Sequence, residues 1–219
     1  MSLGDRSRRE LDADASRAES GSTTGPLHRR EVVARLLEER GDLLVVAGLG
    51  SPAWDCTAAG DHPLTFPLWG GMGQAAMTGL GLALARPDRR VLVVTGDGEM
   101  LMGLGSLATI GVQGPDNLSV VVLDNGRYGE TGMQASHTAH GVDLAAVAAG
   151  CAFARTSTIT RMDQLAALRE AIHVLPGPSL AVVKVLPEKV PLVMPPRDGD
   201  FLKERFRRAL MGLDQPAED

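Results

Sequence analysis

Cysteine is nearly absent from this 219-residue chain, which carries only Cys56 and Cys151. Two cysteines cannot build a disulfide scaffold, a cysteine-rich zinc site or an iron–sulfur cluster. Positive charge is not in excess either. Lys and Arg number 22 against 27 Asp and Glu, a formal charge of −5 with a pI near 5.6. No strongly basic face is implied, and nucleic acid is not an expected partner. No apolar run approaches the ~20 residues of a membrane span. The N-terminus is too charged for a secretory signal. The expectation is a cytoplasmic protein without a membrane partner. Hydrophobic residues make up 44% and charged residues 22%, and the length suits one domain with a substantial core.

Residues 1–26 mix both charges and close on a Ser/Thr/Gly run. Such a segment buries too little to offset its ordering entropy, so a disordered tail is expected there. The folded domain should occupy 27–190. A Pro-rich segment and a charged C-terminal helix, near Gly199–Leu213, should fill 191–219 and wrap the body or a neighbouring subunit.

Within the domain, Leu27–Arg40 puts Val32, Val33, Leu36 and Leu37 on one helical face. Four short runs read as strands: Leu43–Ala47, Val91–Thr95, Ser119–Leu123 and Leu180–Val185, with Phe153–Thr156 as a weaker fifth. They do not alternate polar with apolar residues, which implies burial on both faces, as in a parallel sheet. Helices are expected at Gly73–Ala85 (apolar on nearly every side and so buried), Met100–Gln113, Leu144–Ala149 and Met162–Leu175. The expected fold is α/β: a doubly wound, mostly parallel sheet flanked by helices.

Ligands of such sheets sit beyond the carboxyl ends of the strands. Three glycine-bearing turns follow strands here: Gly48-Leu49-Gly50-Ser51, Gly96-Asp97-Gly98-Glu99 and Asp124-Asn125-Gly126-Arg127. Glycines admit phosphate oxygens close to backbone N–H groups. A helix starting just after Gly98 would aim its positive end at an anion. Asp97 and Asn125 supply a carboxylate and an amide oxygen, a set that suits Mg²⁺ sharing phosphate oxygens. The residues therefore point to a metal–diphosphate site.

Gly96-Asp97-Gly98 followed some two dozen residues later by Asp124-Asn125 resembles the GDG…N(N) motif of thiamine-diphosphate enzymes. The stretch from Leu27 to Leu186 resembles their diphosphate-binding (PP) domain, with the thiamine-diphosphate-binding fold. Nearest in kind are the sulfopyruvate decarboxylase beta subunit and phosphonopyruvate decarboxylase, matched by Trp69–Ala75, Gly98–Met102, Gly105–Thr109 and Tyr128–Gly132 with Gln134. Gly132-Met133-Gln134-Ala135-Ser136 departs from the usual Gly-Gly-Gln-Pro-Thr and leaves the substrate open. The resemblance implies thiamine diphosphate and Mg²⁺ as cofactors, with Asp97, Asn125 and the Arg127 carbonyl on the metal. It implies that Met72, in Gly70-Gly71-Met72-Gly73, props the cofactor into a bent form. Gly50, Ser51, Gly96, Gly98, Glu99, Tyr128 and Gly129 would surround it. Glu130 and His137, with His140 as a further candidate, would handle protons. Thr131 and Gln134 would line the pocket of a small 2-oxo acid.

The chain has room for one such domain. A pyrimidine-binding (PYR) partner subunit would have to supply the activating glutamate, in a hetero-tetramer or larger. The reading is thus one half of a split 2-oxo acid decarboxylase, a carboxy-lyase. An acetolactate-synthase-like carboligase uses the same cofactor residues and stays open. So does a subunit that binds the cofactor only for assembly. A NAD-binding Rossmann domain rests on Gly48-Leu49-Gly50-Ser51-Pro52-Ala53 but finds no ribose-binding acid about 20 residues on.

Overall fold

The computed structural model describes residues 25–213. The expected tail at 1–26 lies, apart from its last two residues, outside them. In chain order the elements are α1 (Arg29–Leu37), β1 (Leu44–Ala47), α2 (Ser51–Ala58), β2 (Thr65–Pro67), α3 (Ala75–Ala85), β3 (Val91–Gly96), α4 (Asp97–Met102), α5 (Ser106–Gln113), β4 (Leu118–Asp124), β5 (Arg127–Tyr128), β6 (Gln134–Ala135), α6 (Leu144–Gly150), β7 (Arg155–Ile159), α7 (Leu165–His173), β8 (Ser179–Lys184) and α8 (Gly199–Leu210). Single 3₁₀ turns occupy His137–His140 and Met162–Gln164.

Six strands form one sheet in the order β2-β1-β3-β4-β8-β7, and every pairing is parallel. Strand residues alternate between two cores. Val45, Leu92, Val94, Val121 and Val183 meet α1, α2 and α7 through Leu36, Trp54 and Leu168. Val46, Val93, Val120, Val122 and Val182 meet α3, α5 and α6 through Leu80, Ile110 and Leu144. With a core on each side, neither face of a strand needs polar residues, which is why the runs read as unbroken Val and Leu. The doubly wound α/β fold is therefore as expected.

Several expected elements differ. Helix Met100–Gln113 is two helices, and the first begins at Asp97 rather than after Gly98. The break lies at Gly103–Gly105, where the chain presses on the turn before α3. A Cβ on Gly103 would lie 2.2 Å from the Gly73 carbonyl oxygen. Helix α3 starts at Ala75, because Gly71 (φ +69°) and Gly73 (φ +88°) hold left-handed backbone ahead of it. It is not enclosed on nearly every side, since Leu84 is half exposed. Helix α2, strand β2 and the β5–β6 hairpin were not anticipated. The C-terminal segment wraps this chain's own body. Trp69 Nε1 donates to the Pro196 carbonyl at 2.7 Å, and Phe206 of α8 meets Phe66 of β2 edge-on at 5.7 Å. Among the described residues no helix is long and apolar enough to cross a membrane.

Candidate active site

The strand order creates the site. After β1 the chain goes outward to β2, then returns past β1 to form β3. The loops leaving β1 and β3 therefore diverge, and a crevice opens between them at the carboxyl edge. A cavity of about 200 Å³ fills it. Its walls come from Leu49, Ser51 and Pro52 after β1, Met72 before α3, Gly96–Glu99 after β3, Leu123 and Asn125 of β4 and its end, and Arg127–Thr131 in the hairpin. Residues as far apart in sequence as Arg29 and Val185 are thus gathered on its wall.

Register determines which acids meet. Gly96 pairs with Leu123, so the next residues on the two strands, Asp97 and Asp124, emerge side by side. Asp124 pairs in turn with Lys184. Both acids are buried, at 2% and 3% exposure. Asp97 Oδ2 accepts from the Ser136 hydroxyl and lies 3.2 Å from Thr138 Oγ1. Asp124 Oδ1 accepts from Thr138 Oγ1 at 2.7 Å and from the Gly126 amide at 3.0 Å, while its Oδ2 pairs with Lys184 Nζ. Burial raises the Asp97 carboxyl above the usual range, the Ser136 hydroxyl pulls it back, and the Asp124 charge raises it again. Asn125 Oδ1 accepts from the Arg127 amide at 2.8 Å, an Asx turn that still leaves that oxygen a second lone pair.

Glu99 is 5% exposed. Its Oε2 accepts from Thr95 Oγ1 at 2.8 Å and from the Leu49 amide at 3.1 Å. Burial raises this carboxyl too, against the Thr95 hydroxyl and the nearby Leu49, Gly73 and Ala75 amides. A Cβ on Gly48 would lie 2.0 Å from Glu99 Oε2. That glycine packs against Glu99 and is not left open for a ligand phosphate.

The glycines of Gly96-Asp97-Gly98 do different work. A Cβ on Gly98 would sit 2.4 Å from the Tyr128 ring, so Gly98 makes room for protein. A Cβ on Gly96 would meet no atom within 4 Å although Gly96 lines the cavity. That open cradle is what a bound diphosphate would fill. No group of three or more His, Cys, Asp or Glu side chains forms a metal cluster among the described residues. The donor set is one carboxylate, one amide oxygen and backbone, which fits a hard cation taking its other ligands from phosphate and water.

Met72 lines the cavity, flanked by its two left-handed glycines. Glu130 lines it as well, and its Oε1 would lie 2.9 Å from a Cβ on Gly50, so that glycine backs the Glu130 side chain rather than the cavity. Ser51, Tyr128, Gly129 and Thr131 all line the wall. Gln134 is held outside it, bonding Thr131. His137 and His140 are exposed on the 3₁₀ turn and do not reach the cavity. Arg29, Ser136, Thr138 and Lys184 escaped the sequence reading. Arg29 lines the cavity while pairing with the fully buried Asp55 of α2. A basic residue at the start of a helix carries no local sign of that. Ser136 and Thr138 stand 39 and 41 positions from Asp97, and the turn that follows β6 brings them back to it.

Comparison with known proteins agrees with this geometry. Residues 53–185 match the family model of the thiamine pyrophosphate enzyme C-terminal TPP-binding domain, thiamine pyrophosphate being another name for thiamine diphosphate. The chain is 37% identical over 189 residues to sulfopyruvate decarboxylase subunit beta of Methanothermobacter thermautotrophicus, covering 86% of this chain and 98% of that one. It is 39% identical over 171 residues to phosphonopyruvate decarboxylase of Streptomyces viridochromogenes, covering 78% of this chain and 43% of that one. It therefore spans less than half the length of that relative. Among solved structures, a protein of Mycobacterium smegmatis assigned as a thiamin diphosphate-dependent enzyme superposes with a TM-score of 0.64 at 28% identity. The match covers 75% of this chain and 33% of that one.

Proposed function

The chain belongs to the thiamine-diphosphate enzymes through their cofactor-binding domain, and from that premise we propose that it is the diphosphate-binding subunit of a split 2-oxo acid decarboxylase. The observation that carries the proposal is the crevice itself. One cavity joins Met72, the open Gly96 cradle, buried Asp97 and Asn125. Near-complete coverage of a relative named as subunit beta supports the split form. The names of two relatives support a 2-oxo acid substrate that carries a second acidic group, a sulfonate or phosphonate.

Thiamine diphosphate supplies the nucleophilic carbon and the electron sink that loss of carbon dioxide requires. In this proposal Asp97, Asn125 and the Arg127 carbonyl hold Mg²⁺. Gly96 and the backbone to Glu99 leave the diphosphate its room. Met72 limits the conformations available to the thiamine, a contribution of orientation rather than of reacting groups. Arg29 and Arg127 place positive charge on the wall. Of the proton-transfer candidates, Glu130 lines the cavity and His137 and His140 do not, so the role is assigned to Glu130. The other glutamate on the wall, Glu99, is held through Oε2 by Thr95 and the Leu49 amide. We assign the activating glutamate to a PYR-type partner chain, with the active site at the interface of a hetero-tetramer or larger assembly. A cytoplasmic setting accords with two unpaired cysteines, the Cys56 thiol being buried and pushed up to about 12.

The test is calorimetric titration of thiamine diphosphate with Mg²⁺ into the chain, alone and mixed with a PYR-type subunit, followed by carbon dioxide release from sulfopyruvate and phosphonopyruvate. Expected are Mg²⁺-dependent binding that tightens with the partner, and release only from the mixture. No binding in any mixture overturns the proposal. Acetolactate-type products without free aldehyde would move the chain to the carboligases.

A further inference from the structure

The two buried acids at the crevice share too few protons. Ser136 Oγ touches Asp97 Oδ2 and stands 2.9 Å from Thr138 Oγ1. Thr138 Oγ1 reaches both Asp124 Oδ1 at 2.7 Å and Asp97 Oδ2 at 3.2 Å. Two hydroxyls carry one proton each. Three carboxylate contacts compete for those two protons, so one contact is always without a hydrogen. The cation on this network, Lys184, pairs with Asp124 and not with Asp97. Asp97 is thus gripped on Oδ2 by neutral groups alone, while Oδ1 takes no side-chain donor.

We propose that Ser136 and Thr138 are positioning residues for the metal site: their hydroxyls clamp Asp97 Oδ2, holding the carboxylate in one rotamer with Oδ1 turned to the cation. The inference rests on the reading of Asp97 as a metal ligand. Asp97 and Asp124 emerge side by side across the strand register, and a bridge between them fixes both side chains. Thr138 is that bridge, because it is the hydroxyl within reach of both acids. Ser136 is fully buried and Thr138 is 9% exposed, so water does not replace either one at no cost. Lys184 completes the arrangement by neutralising Asp124 alone, which leaves Asp97 as the acid in need of a cation.

The test titrates Mn²⁺ into the full-length chain assembled with its PYR-type subunit and thiamine diphosphate, reading bound ion by its paramagnetic resonance signal. Wild type, Asp97→Ala, Ser136→Ala, Thr138→Val and Thr138→Ser are compared, each with a melting curve recorded without metal. Partners of metal ligands are typically worth about 10–100-fold in metal affinity. Ser136→Ala and Thr138→Val should each bind Mn²⁺ about tenfold more weakly, while Thr138→Ser stays close to wild type. Metal-free melting should not follow that order. Wild-type affinity in both Ser136→Ala and Thr138→Val overturns the inference. Equal weakening by Thr138→Ser and Thr138→Val also overturns it, because the methyl and not the hydroxyl would then matter. Should Ser136→Ala fold poorly, the Thr138 pair alone decides. Wild type that binds no Mn²⁺, or Asp97→Ala that binds it normally, brings down the metal-site reading itself, an outcome distinct from failure of the clamp.

Discussion

Asp55 and Asp97 are both buried aspartates, at 0% and 2% exposure, and both are pushed above their usual range by burial. They are satisfied in different ways. Asp55, on α2, receives Arg29 on one oxygen and Arg30 at 3.1 Å on the other, so one negative charge meets two positive ones. Arg29 also donates toward the Ser51 carbonyl, and Arg30 holds the Pro191 carbonyl at 2.8 Å. This joint ties α1, α2 and the C-terminal segment together. Asp97 receives hydroxyls and the neighbourhood of a second acid. A buried charge with its counter-charge in the chain marks a structural joint. A buried charge whose counter-charge the chain withholds marks a place for an external cation.

The sharpest way to break this comparison is Asp97→Ala. It should abolish Mg²⁺-dependent thiamine-diphosphate binding, a loss above the roughly 100-fold upper range for mere partners of ligands. Metal-free melting should stay at or above the wild-type value, because the variant removes an acid that burial and Asp124 both disfavour. A collapse in melting would make Asp97 structural after all.

Asp55→Ala should show the reverse. It leaves buried Arg29 without its acid, a change worth about 3–5 kcal/mol of stability in denaturant unfolding. Cofactor affinity of the folded fraction should change little. A variant of normal stability with weakened cofactor binding would instead place Arg29, which lines the cavity, among the binding groups.

Two glycines sharpen the contrast on a smaller scale. Gly98→Ala drives a Cβ into the Tyr128 ring and should cost about 1–3 kcal/mol. Gly96→Ala meets nothing within 4 Å and should leave stability within about 0.5 kcal/mol of wild type. It should nonetheless weaken cofactor binding, measured by the same titration. Normal binding by Gly96→Ala would show that the cradle is not where the diphosphate lies.

The smallest effect concerns pH at the Asp55 side. Next to Arg29, His28 Nδ1 lies 2.8 Å from Glu188 Oε2, a hydrogen bond that raises the imidazole above 6.5. A raised folded-state value means the folded chain holds its proton longer. The stabilisation is fully present below 6.5 and fades as pH rises through the folded value. His28 is well exposed, so screening keeps the effect small. The melting difference between wild type and Glu188→Gln should shrink slightly from pH 6 to 8.

Much of the sheet was legible because its strands are buried on both faces, and such runs need no partner to be recognised. Leu118–Asp124 and Ser179–Lys184 lie within one residue of their expected limits at each end. Asp97 and Asn125 were legible because the turn after a strand is a local pattern. Helix α2 was not, since Ser51–Ala58 mixes Pro52, Trp54 and Asp55 and buries most of its residues, leaving no polar face to set a period. Strand β2 spans three residues, too few for any period. The continuous helix expected over Met100–Gln113 failed because its interruption comes from outside the segment, where Gly73 approaches Gly103.

Local chemistry alone determined that this chain forms a parallel α/β sheet with glycine turns and oxygen donors at its carboxyl edge. Strand burial, helix periodicity and turn preference all act over a few neighbouring residues, so they can be read in one pass. The tertiary structure decided which side chains share a charge. The one-residue steps beyond Gly96↔Leu123 and at Asp124↔Lys184 set Asp97 beside Asp124 and give Lys184 to the latter. Ser136 and Thr138 return from a loop some 40 residues on to bridge the two acids. Electrostatics in a buried site depends on distances of a few ångströms between strands, and no spacing along a single strand encodes those distances.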